Sequence, residues 1–254
     1  MALPPTTSLT QAIAAIPDGA SVALGRPAAM ALVREVIRQG KRDLHLIGVP
    51  TGGLAIDLLI AAGAARSLET SGVDLGEHGF APAFTRAVEQ GTLDLRDSTC
   101  PALLSAIQAG AAGVSFAPVP GLIGTDVQCR RPDFTIVDDP YRPGQRVVLV
   151  PAIVPQFALL HGSRADADGN VVLGIEYDDR LVARAAAQVI VSVERLEETV
   201  CTHLAADEQL LPAAYVDHLV LAPADTRPTD DAESVREYLD GAGTSRAKDA
   251  VLHR

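Results

Sequence analysis

Residues 21–53 read SVALGRPAAMALVREVIRQGKRDLHLIGVPTGG, and this stretch decides the fold class. Ser21–Gly25 (SVALG) is a short aliphatic run that predicts a strand. Pro27–Gln39 follows as a helix, with Pro at a first-turn position and Gly40 as the stop. Asp43–Gly48 (DLHLIG) reads as a second strand, closed by the turn Pro50–Thr51–Gly52–Gly53. Two strands joined through a helix by short turns form a parallel crossover unit.

The same alternation runs outward from this unit. Gly53–Ala62 is an apolar helix, Arg66–Thr70 a strand, Gly79–Gln90 a helix ended by Gly91, and Pro101–Ala112 a helix with Ser98 or Thr99 as its N-cap. Val114–Ala117, Phe134–Val137, Arg146–Pro151, Phe157–His161, Val171–Leu173, Gln188–Val193 and His218–Ala222 read as further strands, and Asp178–Ala187 and Asp230–Leu239 as helices. Pro118–Gly124 and Asp138–Gly144 read as loops, and Asp168–Gly169–Asn170 as a hairpin-like turn. The expectation is an α/β fold with an open, mostly parallel sheet flanked by helices. One domain would span residues 1–240, followed by a polar tail at 241–254.

Composition fits this and excludes several functions. Hydrophobic residues make up 48% of the 254-residue chain and aromatics only 4%, with no Trp, so the core must be built from Ala, Val, Leu and Ile. A net charge of −11 argues against general nucleic-acid binding, which needs clustered Lys and Arg. Cys100, Cys129 and Cys201 are widely spaced and form no CxxC, which argues against a zinc site and for a reducing compartment. No stretch reaches the roughly 18 apolar residues that a membrane span needs. The cytoplasm is the expected location, with no membrane partner.

Several turns bear on chemistry. Gly25–Arg26–Pro27 follows a strand and precedes a helix, where open α/β sheets place ligands; an ordinary tight turn is the plainer reading. Gly110 and Gly113 permit either left-handed backbone with close ligand approach or a simple helix stop. The apolar, glycine-rich loop with Gly121 and Gly124 suggests contact with a ligand or partner. Cys100 precedes a predicted helix, where a thiol can be activated, although a small buried hydrophobe is the commoner case. Glu77 and His78 form either an acid–base pair or a surface turn, and His161 ends a strand either as part of a hairpin-like connection without chemistry or at the edge of the site. No GxGxxG follows the first strand, and GxxxxGK[ST] and GxSxG are absent, so a dinucleotide fold, a P-loop and an α/β-hydrolase are disfavoured.

Taken in order, Gly25–Arg26–Pro27, Ser71–Gly76, Pro82–Gly91 (PAFTRAVEQG), Ile107–Phe116 (IQAGAAGVSF), Gly121–Asp126 (GLIGTD), Asp139–Pro140–Tyr141, Val150–Pro151–Ala152, Leu160–Asn170 (LHGSRADADGN), Ala185–Glu194 (AAAQVIVSVE) and Ala222–Thr229 (APADTRPT) resemble the A-type chains of family I CoA-transferases, especially the glutaconate branch. The resemblance covers about residues 18–230. It implies a CoA-transferase-like fold and ping-pong transfer of CoA from an acyl-CoA to a carboxylic acid. The thioester is attacked by a glutamate of the B-type partner, so the resemblance implies a heterodimer or A2B2 assembly and no catalytic nucleophile on this chain. Coenzyme A is then a substrate, with no permanently bound cofactor and no metal.

The motifs carrying the resemblance suggest Gly25, Arg26, Ser71, Gly72, Ser98, Thr99, Gly110, Gly113, Phe116, Gly121 and Gly124 as substrate-binding residues. In the 3-oxoacid branch a Thr/Asn-Pro-Gln-Gly stretch supplies an oxyanion-holding Gln. Here Ser98–Thr99–Cys100–Pro101 stands in its place, which makes Cys100 the oxyanion-region candidate. Pro120 stands where many glutaconate-type members carry Arg. Relatives on this fold also hydrolyse C–C bonds of CoA-linked ring ketones or decarboxylate a glutaconyl-type thioester, which makes a chain of such an enzyme the alternative. A non-catalytic acyl-CoA-binding module is the third reading.

Overall fold

The computed structural model describes residues 6–175, 178–200, 204–222, 235–236 and 238–239. The expected tail at 241–254, Cys201 and most of the helix expected over Asp230–Leu239 lie outside the described residues.

The first crossover unit forms as read, with β1 (Ser21–Leu24), α2 (Met30–Arg38) and β2 (Leu44–Gly48) after a short α1 (Leu9–Ala14). The helix starts at Met30 rather than Pro27: Ala29 has non-helical angles, φ −74° and ψ +70°, and the Arg26 N–H is bonded to Asp179. α3 (Leu54–Ala61), β3 (Ala65–Thr70), α4 (Pro82–Glu89), β4 (Asp94–Asp97) and α5 (Cys100–Ala111) continue the pattern. Strands β1 to β4 pair in parallel, each added outside the last.

The chain then returns to the other side of β1. β8 (Phe157–Asp166) pairs in parallel with β1, Val22 opposite Phe157, and β10 (Gln188–Glu197) and β12 (His218–Leu221) are added outward from it. The parallel order is therefore β4–β3–β2–β1–β8–β10–β12, and the direction of growth reverses between β1 and β8. Ligands of open α/β sheets bind at the carboxyl ends of the strands beside such a reversal. β8 outruns β1, turns at Asp166–Asn170, and pairs antiparallel with β9 (Val171–Gly174), which in turn pairs with β11 (Glu208–Leu211).

Both faces of the sheet are buried, as expected of central parallel strands. Phe157 and Leu159 of β8 point into one core with α1 to α4; Ala158 and Leu160 point into the other, with α5 and α7 (Asp179–Ala185).

Further features depart from the sequence reading. β4 (DLRD) has only Leu95 as an apolar residue and so reads as connecting chain; it is an outer strand, where charges discourage further pairing. α6 (Asp126–Arg130) lies in a stretch without a helical signal. Finally, β5 (Phe116–Val119), β7 (Arg146–Pro151) and β6 (Thr135–Asp138) form a separate antiparallel sheet in that order. β5 runs two residues further than its aliphatic run suggests, through Pro118, which an edge strand tolerates. Val119, Val148 and Val150 of this sheet pack with Ala102 and Ala106 of α5.

Candidate active site

The carboxyl ends of β1 to β4 stand side by side, Leu24 opposite Gly48 and Thr70 opposite Asp97. Their loops are joined by hydrogen bonds. The Arg26 guanidinium donates to Thr51 Oγ1 at 2.9 Å, tying the β1 loop to the β2 loop. The Gly52 N–H donates to the Gly72 carbonyl at 2.8 Å, and Ser71 donates to the Pro50 carbonyl through its N–H (3.1 Å) and its hydroxyl (2.6 Å), tying β2 to β3. Ser71 Oγ lies 3.1 Å from Cys100 Sγ, and the Ser98 N–H donates to the Thr70 carbonyl, tying β3 to β4. Thr99, not Ser98, caps α5, its Oγ1 accepting from the Ala102 N–H. Cys100 is exposed at the first position of that helix.

Thus Gly25, Arg26, Ser71, Gly72, Ser98, Thr99 and Cys100 converge on one rim. A narrow crevice there is lined by Leu24, Gly25, Arg26, Thr51, Gly52 and Gly53. The remaining candidates lie elsewhere. α5 runs about 18 Å from the rim toward the amino ends of the strands. Gly110, on its last turn, meets the carbonyl of Ile153, three residues before Gln156, whose side chain and N–H bond Ser21 at the start of β1. Gly113 has φ +70° just past the helix, with its N–H bonded to the Gly110 carbonyl, so it serves as the stop. Phe116 is half-exposed on the small sheet, opposite Pro151. Gly121 and Gly124 turn the loop between β5 and α6, anchored by Leu122 in the core that includes Ala102. Glu77 and His78 contact one another at 3.6 Å on a single 3₁₀ turn, with Glu77 largely exposed.

Two further groups lie beside the rim: Asp179, which sequence reasoning missed, and His161, which it placed at the site edge. Asp179, the first residue of α7, accepts the Arg26 N–H at 2.9 Å. Burial pushes its carboxyl up to about 7, and neighbouring Asp178 adds to this while the Arg26 N–H opposes it. Its only sequence signal is an acidic pair opening a helix. His161, two residues past Leu159, the last β8 residue paired with β1, is held by Ser192, with Nδ1 2.9 Å from Oγ, and faces Glu194 at 3.9 Å. Burial pushes the His161 imidazole below its ordinary value, against the pull of Glu194.

Residues 6–222 match the family described as coenzyme A transferase. This chain belongs to the coenzyme A transferase family. It is 36% identical over 166 residues to the A chain of the 3-oxoadipate CoA-transferase of Pseudomonas knackmussii, covering 64% of this chain and 58% of that protein. It spans just over half the length of the first curated relatives it matches, 53% and 58%. Among solved structures, a variant of the decarboxylase AibA/AibB is 36% identical over 100% of both chains, with TM-score 0.87. Glutaconate coenzyme A-transferase from Acidaminococcus fermentans is 26% identical with TM-score 0.86, covering 96% of this chain and 86% of that one. The open, mostly parallel sheet of this coenzyme A transferase family member is the architecture these structures share.

Among the described residues, no group of three His, Cys, Asp or Glu side chains could hold a metal ion, and no helix is long and apolar enough to cross a membrane.

Proposed function

We propose that the chain is the A-type part of an enzyme that moves CoA from an acyl-CoA to a carboxylic acid, and that a B-type subunit supplies the attacking glutamate. The observation that carries this reading is the rim. Loops of four adjacent strands present an Arg26 guanidinium, glycine backbone, a Ser71 hydroxyl and a Cys100 thiol, and no glutamate is part of that hydrogen-bonded set. Such a surface can bind and polarise a thioester but brings no nucleophile of the expected kind. The free thiols of Cys100 and Cys129 fit work in the cytoplasm.

The partner's carboxylate would add to the thioester carbonyl, and the oxyanion would collapse with loss of CoA thiolate to give an anhydride. The thiolate then attacks the glutamyl carbonyl and releases the first acid. The acceptor carboxylate enters and the same steps run in reverse. Covalent catalysis divides one hard exchange into easier ones, and oxyanions need donors aimed in advance. Cys100 is a weak donor for that purpose. Cys100→Ala should lower kcat/KM by about 3- to 10-fold, below the loss seen for a full oxyanion donor, with Cys100→Ser retaining activity. An unchanged kcat/KM in the alanine variant removes Cys100 from the site.

The test of the whole reading is co-expression with the B-type subunit, incubation with acyl-CoA, and borohydride reduction. A transferase loses activity and carries a reduced glutamate on the partner. A second reading, one chain of a decarboxylase, is favoured by the 36% identity to the AibA/AibB structure. It predicts loss of CO2 from a carboxylated acyl-CoA, no exchange of CoA between acids, and no trapping.

A further inference from the structure

Asp179 sits beneath the turn at the point where the sheet reverses. It opens α7 on the face covered by α5 and α7, yet its oxygens reach back to the loop after β1. A β-carbon on Gly25 would lie 2.8 and 2.9 Å from those oxygens and 2.6 Å from Leu160 Cδ2, so only glycine lets the carboxylate reach the Arg26 N–H. From Arg26 the contacts continue outward: guanidinium to Thr51, Gly52 to Gly72, Ser71 to Cys100. One buried carboxylate thus stands at the inner end of a chain of bonds that crosses four loops.

We propose that Asp179 is a positioning residue for the thioester site: it fixes the Gly25–Arg26 turn, and through Arg26 and Thr51 it sets the spacing of the rim loops. For its activity readout this rests on the transferase reading above. The ionised carboxylate makes a charge-assisted bond to the Arg26 N–H, stronger than the bond to the neutral acid. The groups acting on Asp179 are Asp178 on its own helix and Arg26 on the β1 loop. β8 presents apolar Leu160 to it, α5 contributes apolar Leu103 and Ile107 to the same core, and His161 and Glu194 point to the opposite face of the sheet. With the carboxyl titrating at about 7, the rim is held tightly above neutrality and loosens as pH falls through that value.

The experiment uses the full chain assembled with its B-type partner, as wild type, Asp179→Asn and Asp179→Ala. Two quantities are measured: hydrogen exchange of a peptide spanning residues 22–30, and kcat/KM against pH. Wild-type kcat/KM should rise through about pH 7. Asp179→Asn keeps a side-chain oxygen for the Arg26 N–H, so its exchange should stay slow while the rise near neutrality disappears. Asp179→Ala should speed exchange and lower kcat/KM, each by about tenfold. The proposal is overturned if the alanine variant matches wild type in exchange and kcat/KM, or if the asparagine variant keeps the rise. Should the alanine variant not assemble, the pH profile of the asparagine variant decides. If the wild-type assembly transfers no CoA, the transferase reading fails, and exchange at residues 22–30 still decides the role of Asp179.

Discussion

Arg131→Ala is expected to destabilise the protein by about 3–5 kcal/mol, lowering Tm by roughly 6–20 °C. Arg131 is only 4% exposed, and each of its three guanidinium nitrogens donates a hydrogen bond. It donates to Glu69 Oε1 at 2.7 Å, to both carboxylate oxygens of Asp133 at 2.9 Å, and to the Asp97 carbonyl at 3.1 Å, with its carbon 4.3 Å from the centre of the Phe134 ring. Glu69 and Asp97 belong to β3 and β4, while Arg131 and Phe134 lead into the small sheet. One cation therefore clasps the small sheet to the edge of the large one. Removing it leaves Glu69, 5% exposed, with only the longer contacts to His45 and Arg96, both at 3.7 Å.

Whether lost packing or a stranded charge dominates can be separated. Replacing both partners, Arg131→Met with Glu69→Leu, should recover much of the loss, because no unpaired carboxylate is left in the interior. pH gives a second handle. Burial alone would raise the Glu69 carboxyl, but the His45 contact, the Arg131 hydrogen bond and the Arg131 and Arg96 charges outweigh it and hold the group below the usual carboxylate range. The wild-type network therefore stabilises above that range and loses its contribution as pH falls through the lowered value. In Arg131→Ala burial prevails, the carboxyl rises, and acid relieves the strain by neutralising it. The gap in Tm between the two proteins should narrow as pH falls from about 7 toward about 4, the ordinary carboxylate range. A Tm for Arg131→Ala within about 2 °C of wild type at neutral pH would remove the clasp.

The contrast between this network and the first crossover unit shows what a sequence makes legible. β1, α2 and β2 announce themselves by largely aliphatic runs with Gly and Pro near their ends, so the local signal and the buried structure coincide. The parallel sheet and the rim glycines follow from that alternation. β4 and β11 carry no comparable signal, since outer strands with Asp, Glu, Arg or Gln look like connecting chain. The small sheet is hidden for another reason: its three strands are read as strands, but only tertiary pairing shows that they leave the parallel sheet and form an antiparallel one of their own. The polar contacts are the least legible. Arg131 meets Glu69 across 62 positions and Arg26 meets Asp179 across 153, and no spacing rule links residues so far apart. That is why Arg26 is visible as a candidate while the carboxylate that holds it is not.

The same limit explains the second large effect, at a glycine that motif reading places with the ligand-binding residues. Gly110→Ala should destabilise the protein by about 2 kcal/mol or more. α5 here crosses the segment that carries the chain from β7 back to β8, and the Ile153 N–H is bonded to the Ala106 carbonyl one turn earlier. A β-carbon at position 110 would stand 2.1 Å from the Ile153 carbonyl oxygen, a backbone atom that cannot swing aside. Either the helix lifts off or the 151–155 segment shifts, and both disturb the cores on each side of α5. Overpacking of this kind costs about 1–3 kcal/mol or more, whereas alanine in a helix gains only about 1 kcal/mol over glycine. The clash therefore wins over propensity. Gly174→Ala provides the control, with no atom near the added carbon and an expected change within about 0.5 kcal/mol. Because Gly110 lies on the last turn of α5, far from Cys100 on its first, assembled Gly110→Ala enzyme kept below its melting range should retain a near-normal KM. A strong rise in KM with unchanged Tm would instead return Gly110 to the substrate site.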